Sequence, residues 1–384
     1  MKTKKTVIVL GTRPEAIKLG PLIRRMRLTP GFDVRVCATG QHRELLDRAL
    51  ATFGVVPDVH MRLMRPGQSL GRLTAKLMAG LDAYLEKEGP ELVIVQGDTT
   101  TAYCGALAAF YRRVPAAHVE AGLRTHDASC PFPEEFNRTS ISQIAQYHFT
   151  PTQDAVENLL AEGIKPDRIH LTGNTGIDAL FYAVDQNKRQ LPLIPNLPPH
   201  ALDGSGALVL VTVHRRENLD GGIEAVCQAV SILSHRFPEA HFVVPVHPNP
   251  GAENPIRRRL RGRTNVYLIP PLDYLPFIAL LQRASLVITD SGGLQEEAAT
   301  LGIPLIVTRT VQDRPTPDSL RNQPPLAPTK IAAQAELLLT PGSPSTILPT
   351  TTQPTAPFPY GDGQASGRIV GILSSEGLAE MKAA

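Results

Sequence analysis

Short apolar runs, each ended by small or polar residues and followed by a longer amphipathic stretch, recur along this chain. Runs of that length, rich in valine and isoleucine, predict buried parallel strands, and the stretches between them predict crossover helices. In the first half the predicted strands are 7–10, 34–38, 92–96, 116–119, 148–150 and 168–172. A helix is expected from the Gly11-Thr12-Arg13-Pro14-Glu15 turn to about residue 27, with Gly20-Pro21 kinking or restarting it. One helix is expected between 38 and 92, one containing 106–112, and one over 153–162. Residues 173–176 read as a turn into a helix that leaves the first domain, and the polar, proline-rich span 190–206 as connecting surface. A second series follows, with strands at 207–213, 241–246, 266–269, 285–289 and 305–308 and a helix over 294–301. Residues 340–359 carry six prolines among serine and threonine, so no regular helix is expected there, and order returns at 360–363 and in a helix-like run over 364–373.

Composition narrows the picture. At 384 residues the chain exceeds what one core usually organises, so two domains are expected. A net charge of +3 is too small for a nucleic-acid surface, although clustered arginines can still hold phosphate. The four cysteines, Cys37, Cys104, Cys130 and Cys227, have no metal-ligand spacing and read as reduced, cytoplasmic thiols. No segment approaches the roughly 18 uninterrupted apolar residues of a membrane span, and the run behind the basic N-terminus is too short for a signal peptide.

The polar residues gather where predicted strands end, the edge at which open parallel sheets bind ligands. Asp98 and Glu120 end consecutive strands and are expected side by side, although Asp98 also fits a helix N-cap. Glu134 and Glu135 stand behind a Pro-Phe-Pro turn at a predicted helix start. Carboxylates returned toward one another suit proton transfer, while acids at that position also serve the helix dipole. Gly11-Thr12-Arg13 is neither a dinucleotide fingerprint nor a P-loop, but Arg13 and Lys18 lie near a helix start where an anion binds. Ser291-Gly292-Gly293 is the best anion site in the chain, because small residues admit a phosphate to free backbone N–H groups; a tight turn is the alternative. Glu296 or Glu297 behind it suits the hydroxyls of a ribose, and His214, before two arginines, would be held protonated by a nearby anion.

Taken in order, Gly11-Thr-Arg-Pro-Glu15, Gly97-Asp-Thr-Thr100, His118-Val-Glu-Ala-Gly-Leu-Arg124, Pro133-Glu-Glu135 with Asn137-Arg138, Gly173-Asn-Thr175, His214-Arg-Arg-Glu217, Pro245-Val-His247, Tyr274-Leu-Pro-Phe277, Thr289-Asp-Ser-Gly-Gly293 with Gln295-Glu-Glu297, and Pro359-Tyr-Gly-Asp-Gly363 resemble the non-hydrolysing UDP-N-acetylglucosamine 2-epimerase family. That resemblance implies an α/β, GT-B-like fold, two Rossmann-like doubly wound domains facing each other across a cleft. The first would span 1–173, with a C-terminal helix at about 364–384 packing back on it, and the UDP-binding second would span 174–363. It implies a cytoplasmic homodimer that interconverts UDP-N-acetylglucosamine and UDP-N-acetylmannosamine by UDP elimination and re-addition, with no metal, no nicotinamide, no nucleic acid and no membrane partner. It assigns Asp98, Glu120 and Glu134 to acid/base work and places His214 near the diphosphate. Arg13, Lys18, Phe277, Ser291, Gly292, Gly293, Glu297 and Arg314 would hold UDP, and Gln41, Glu134, Arg215 and His247 match a second, activating UDP-N-acetylglucosamine site. Glu44 and Gly67 depart from that second site, and residues 311–316 read Val-Gln-Asp-Arg-Pro-Thr, so that Thr316 stands where the family has an acid after the Arg314-Pro315 pair. A hydrolysing epimerase, a GT-B glycosyltransferase and a silent nucleotide-sugar-binding protein are the alternatives.

Overall fold

The computed structural model describes residues 3–40, 43–63, 67–213, 221–247, 249–308, 327–340 and 360–375. The chain divides into two compact units, 1–182 with 360–384, and 183–359.

In the first unit the order is β1 (Lys4–Leu10), α1 (Arg13–Leu28), β2 (Phe32–Ala38), α2 (Arg43–Ala51), β3 (Val59–His60), α3 (Leu70–Glu88), β4 (Leu92–Gln96), α4 (Thr100–Tyr111), β5 (Ala116–Val119), α5 (Glu134–Ile144), β6 (Tyr147–Thr150), α6 (Gln153–Ala161), β7 (Ile169–Leu171) and α7 (Thr175–Arg189), whose end enters the second unit. The seven strands pair in the order β3-β2-β1-β4-β5-β6-β7, all parallel. Val7, Val9, Val93 and Val95 share one core with α3 and α4, while Ile8, Leu10 and Ile94 between them are equally buried. Both faces of these strands are therefore covered, which is why they read as continuous apolar runs and not as alternating ones.

The second unit runs β8 (Leu208–Thr212), α8 (Gly222–Arg236), β9 (His241–Pro245), α9 (Pro250–Leu260), β10 (Val266–Ile269), α10 (Tyr274–Arg283), β11 (Leu286–Thr289), α11 (Gly292–Thr300), β12 (Leu305–Val307) and α12 (Pro328–Leu339). Its five parallel strands follow the order β10-β9-β8-β11-β12. The last helix, α13 (Ala365–Ser375), returns to the first unit. There Asp178 of α7 accepts the Ala365 and Ser366 N–H groups at 3.1 and 2.8 Å, and Lys4 of β1 donates to the Leu373 carbonyl at 2.8 Å. An acid at the N-terminus and an ammonium at the C-terminus both complement the helix dipole. Burial pushes the Asp178 carboxyl up, against those N–H bonds.

Strand order reverses between β1 and β4 in one sheet and between β8 and β11 in the other. Each reversal leaves a crevice beyond the carboxyl ends of those strands, because the crossovers depart in opposite directions.

Three expectations change. Gly20-Pro21 neither kinks nor restarts α1, which runs unbroken through them. Proline inside a helix costs about 3 kcal/mol, but α1 buries Leu19, Leu22, Ile23 and Met26, and a Cβ on Gly20 would collide with the Phe53 ring. The single helix expected between β2 and β4 resolves into α2, β3 and α3. α3 buries only Leu77, Leu81 and Leu85 fully, too narrow a stripe to announce itself by periodicity. α12 was not expected; it seats Ile331, Ala332 and Ala335 on the second core. The proline-rich run lies outside the described residues from 341 onward.

Candidate functional site

The first reversal is built on a buried carboxylate. Thr12 and Glu15 form a capping box at the start of α1, the Thr-x-x-Glu pattern that fixes a helix N-terminus. Glu15 Oε2 accepts from Gly11 N at 3.0 Å and from Thr12 N and Oγ1, each at 2.7 Å, while Oε1 accepts from Thr99 Oγ1 at 2.7 Å. Desolvation pushes this carboxyl up and those donors oppose it. Glu15 thereby ties the β1 exit loop to the β4 exit loop. Thr99, not Asp98, caps α4, accepting from Ala102 N at 3.0 Å, so Asp98 is released from that duty.

Asp98 and Glu120 leave the carboxyl ends of the paired strands β4 and β5, as the sequence predicted. Their surroundings differ. Glu120 is buried and sits in the left-handed region at φ 63°. Lys18 Nζ lies 2.5 and 2.6 Å from its two carboxylate oxygens, and the Gln96 amide also donates to Oε2. Asp98 is more open, and its Oδ2 meets Arg138 Nη2 at 2.7 Å while its backbone carbonyl takes the Asn137 amide at 2.8 Å. Both of those partners come from the first turns of α5. Glu134, the first residue of α5, is half-buried. Its neighbour Glu135 closes the preceding loop, accepting Thr125 N and His126 N at 3.1 Å each, with Arg138 Nε 3.4 Å from its other oxygen. Beneath Gly97, His118 is buried with Nε2 2.7 Å from the Gly97 carbonyl, so that nitrogen carries the proton. Burial pushes its pKa down to about 3, and the ring is neutral.

In the second unit α11 begins at Gly292 behind Ser291, whose side chain makes no capping bond. Ser291 N donates to Thr289 Oγ1 at 3.0 Å, and the hydroxyls of Thr289 and Thr212 pair at 2.6 Å across β11 and β8. A Cβ on Gly293 would point into open space, so packing does not demand this glycine. Small residues and unclaimed N–H groups at a helix start suit an anion. Glu297 Oε1 accepts the Tyr274 hydroxyl at 2.9 Å, joining α11 to α10, where Phe277 is half-buried. His247 follows β9, exposed, its Nδ1 accepting from Asn249 N at 3.1 Å.

His214, Arg215, Gln41 and Arg314 lie outside the described residues. Arg13 opens α1. Lys18, expected near a helix start where an anion binds, has its ammonium on Glu120. Gln96, Glu135 and Arg138 acquire contacts that sequence patterning did not assign; only Arg138, one helical turn beyond Glu134, carried a usable signal. No group of three or more His, Cys, Asp or Glu among the described residues is arranged to hold a metal ion, and no described helix is long and apolar enough to cross a membrane.

Two doubly wound parallel sheets, with polar clusters at both strand-order reversals, define a GT-B-like enzyme fold. The family model for UDP-N-acetylglucosamine 2-epimerase matches residues 24–374. A UDP-N-acetylglucosamine 2-epimerase of Yersinia pestis is 43% identical over 377 residues, covering 97% of this chain and 98% of its own. That of Escherichia coli K12 is 42% identical over 381 residues, 97% of this chain and 98% of its own. The crystal structure of UDP-GlcNAc 2-epimerase from Neisseria meningitidis bound to UDP-GlcNAc superposes with a TM-score of 0.86 at 37% identity, covering 98% of this chain and 100% of the other. The chain belongs to the UDP-N-acetylglucosamine 2-epimerase family.

Proposed function

We propose that this enzyme interconverts UDP-N-acetylglucosamine and UDP-N-acetylmannosamine without net hydrolysis. In the first half-reaction a carboxylate takes the C2 proton while the C1–O bond to UDP breaks, leaving 2-acetamidoglucal. In the second, UDP returns to C1 and C2 receives a proton on the opposite face. The observation that carries this reading is the pair Asp98 and Glu120 at the ends of adjacent strands, each against its own cation. An unactivated C–H bond needs a placed base, the opposite face needs an acid, and the departing diphosphate needs preorganised positive groups. Asp98, Glu120 and Glu134 form the acid/base set in this proposal. Arg13, Lys18, Phe277, Ser291, Gly292, Gly293, Glu297 and Arg314 serve the UDP part, with His214 at the diphosphate. The UDP-GlcNAc in the Neisseria relative supports the substrate class.

Incubation with UDP-N-acetylglucosamine in D2O, followed by proton NMR, tests it. Deuterium at C2 with growth of UDP-N-acetylmannosamine is expected. Free N-acetylmannosamine and UDP as main products would assign the hydrolysing reaction instead, and no C2 exchange would end the epimerase proposal. We further propose a cytoplasmic homodimer, measured by light scattering and cell fractionation. Activation by a second substrate molecule at Gln41, Glu134, Arg215 and His247 would appear as sigmoidal rates.

A further inference from the structure

Asp98 and Glu120 are held in unequal ways. Glu120 has both oxygens engaged, by Lys18 and Gln96, and is nearly enclosed. The Asp98 side chain is 31% exposed, and among the described residues its carboxylate has Arg138 as its sole partner. Its orientation therefore falls to one guanidinium. Arg138 is itself only 3% exposed, and it touches a second carboxylate, that of the buried Glu135. Glu135 in turn holds the backbone of Thr125 and His126 in the loop between β5 and α5. A connected line thus runs from that loop through Glu135 and Arg138 to Asp98, and Asn137 fixes the Asp98 backbone from the same helical turn.

We infer that Arg138 is a positioning residue, aiming the Asp98 carboxylate for its proton transfer at C2 of the sugar and registering it with the α5 start that carries Glu134. The inference rests on the epimerase proposal. A planar guanidinium suits this task because its donors are fixed in direction, whereas an ammonium is a point charge on a flexible stem. A purely stabilising ion pair would not need to bridge a buried acid to one open to solvent.

The test compares wild type, Arg138→Lys and Arg138→Met with UDP-N-acetylglucosamine carrying hydrogen or deuterium at C2. A misplacement of about 1 Å costs roughly 10²-fold, so Arg138→Met should lower kcat by about that factor while KM stays within about twofold. The primary isotope effect on kcat should rise above that of wild type, because the proton step becomes limiting. Arg138→Lys, which keeps the buried charge and hence the fold, should recover part of kcat. In an Asp98→Asn background neither substitution should lower kcat further, since the two residues act as a unit. A rise in KM with kcat unchanged, an unaltered isotope effect, or full additivity with Asp98→Asn would overturn the role assigned to Arg138. Absence of C2 exchange in the wild type would overturn the epimerase proposal and this inference with it, whereas exchange by wild type alongside an undiminished Arg138→Met would overturn this inference alone.

Discussion

Lys18→Met removes the ammonium that engages both oxygens of Glu120 and leaves a carboxylate in a site built for a pair. Lys18 and Glu120 side chains are 14% and 5% exposed, with a shortest separation of 2.5 Å. Breaking a buried pair from one side costs about 3–5 kcal/mol, chiefly the penalty of the stranded charge, and the partial exposure of Lys18 argues for the lower end, about 3 kcal/mol. Glu120 also holds a left-handed backbone at φ 63°, which for a non-glycine residue costs about 1–2 kcal/mol and makes the side-chain anchors more important. At about 2–4 °C per kcal/mol for a domain of this size, the unfolding midpoint of the first unit should fall by about 6–12 °C. Calorimetry on wild type, Lys18→Met, Glu120→Gln and the double variant closes a cycle. Glu120→Gln removes the charge that Lys18→Met strands, so the double variant should be more stable than Lys18→Met alone. A coupling below about 0.5 kcal/mol would refute the reasoning, because sites that do not interact add within that margin.

Three further outcomes follow from the structure. The His118 pKa is depressed to about 3, against about 6.5 when unfolded, so its contribution is fully present above pH 6.5 and is lost as pH falls toward 3, about 2 kcal/mol of it between pH 7 and pH 5. His118→Gln, which keeps a donor for the Gly97 carbonyl, should flatten the melting temperature over that interval; an unchanged slope would place the acid sensitivity elsewhere. Gly122→Ala should destabilise by about 3 kcal/mol or more, since its backbone is at φ 88° and the added Cβ would meet the Ala155 carbonyl, which cannot rotate away. Gly293→Ala separates stability from ligand binding: its Cβ enters open space at a helix start, so thermal stability should hold or rise by about 0.5–1 kcal/mol. UDP affinity by calorimetric titration should fall at the same time, and retention of full affinity would remove Gly293 from the proposed anion site.

What the sequence revealed and what it withheld divide along a physical line. β4 and β5 were legible to the residue because a strand covered on both faces is largely apolar, and the small or acidic residues at its exit then mark the end. The Thr12–Glu15 capping box emerges only in the structure, whereas the Gly11–Glu15 turn into α1 and the Ser-Gly-Gly start of α11 were legible because a proline in a first helical turn and small residues at a strand-to-helix junction are local signals. The unbroken passage of α1 through Pro21 was not, since it depends on Phe53, 33 positions beyond Gly20, accepting a helix with no side chain there. The partners of the candidate acids lie deeper in tertiary structure. Lys18 and Glu120 are 102 residues apart and Glu15 and Thr99 are 84 apart, and no periodicity connects such pairs. Parallel topology supplies the connection: setting β4 beside both β1 and β5 delivers three exit loops to one edge, whatever the distance along the chain. Strand order therefore decides which polar residues meet, and the side chains already present at those exits decide which carboxylate is locked and which is left open. That is the physical reason Asp98, whose carboxylate has one partner among the described residues, is the more informative residue to perturb through its neighbour, and Glu120, with several, through its charge.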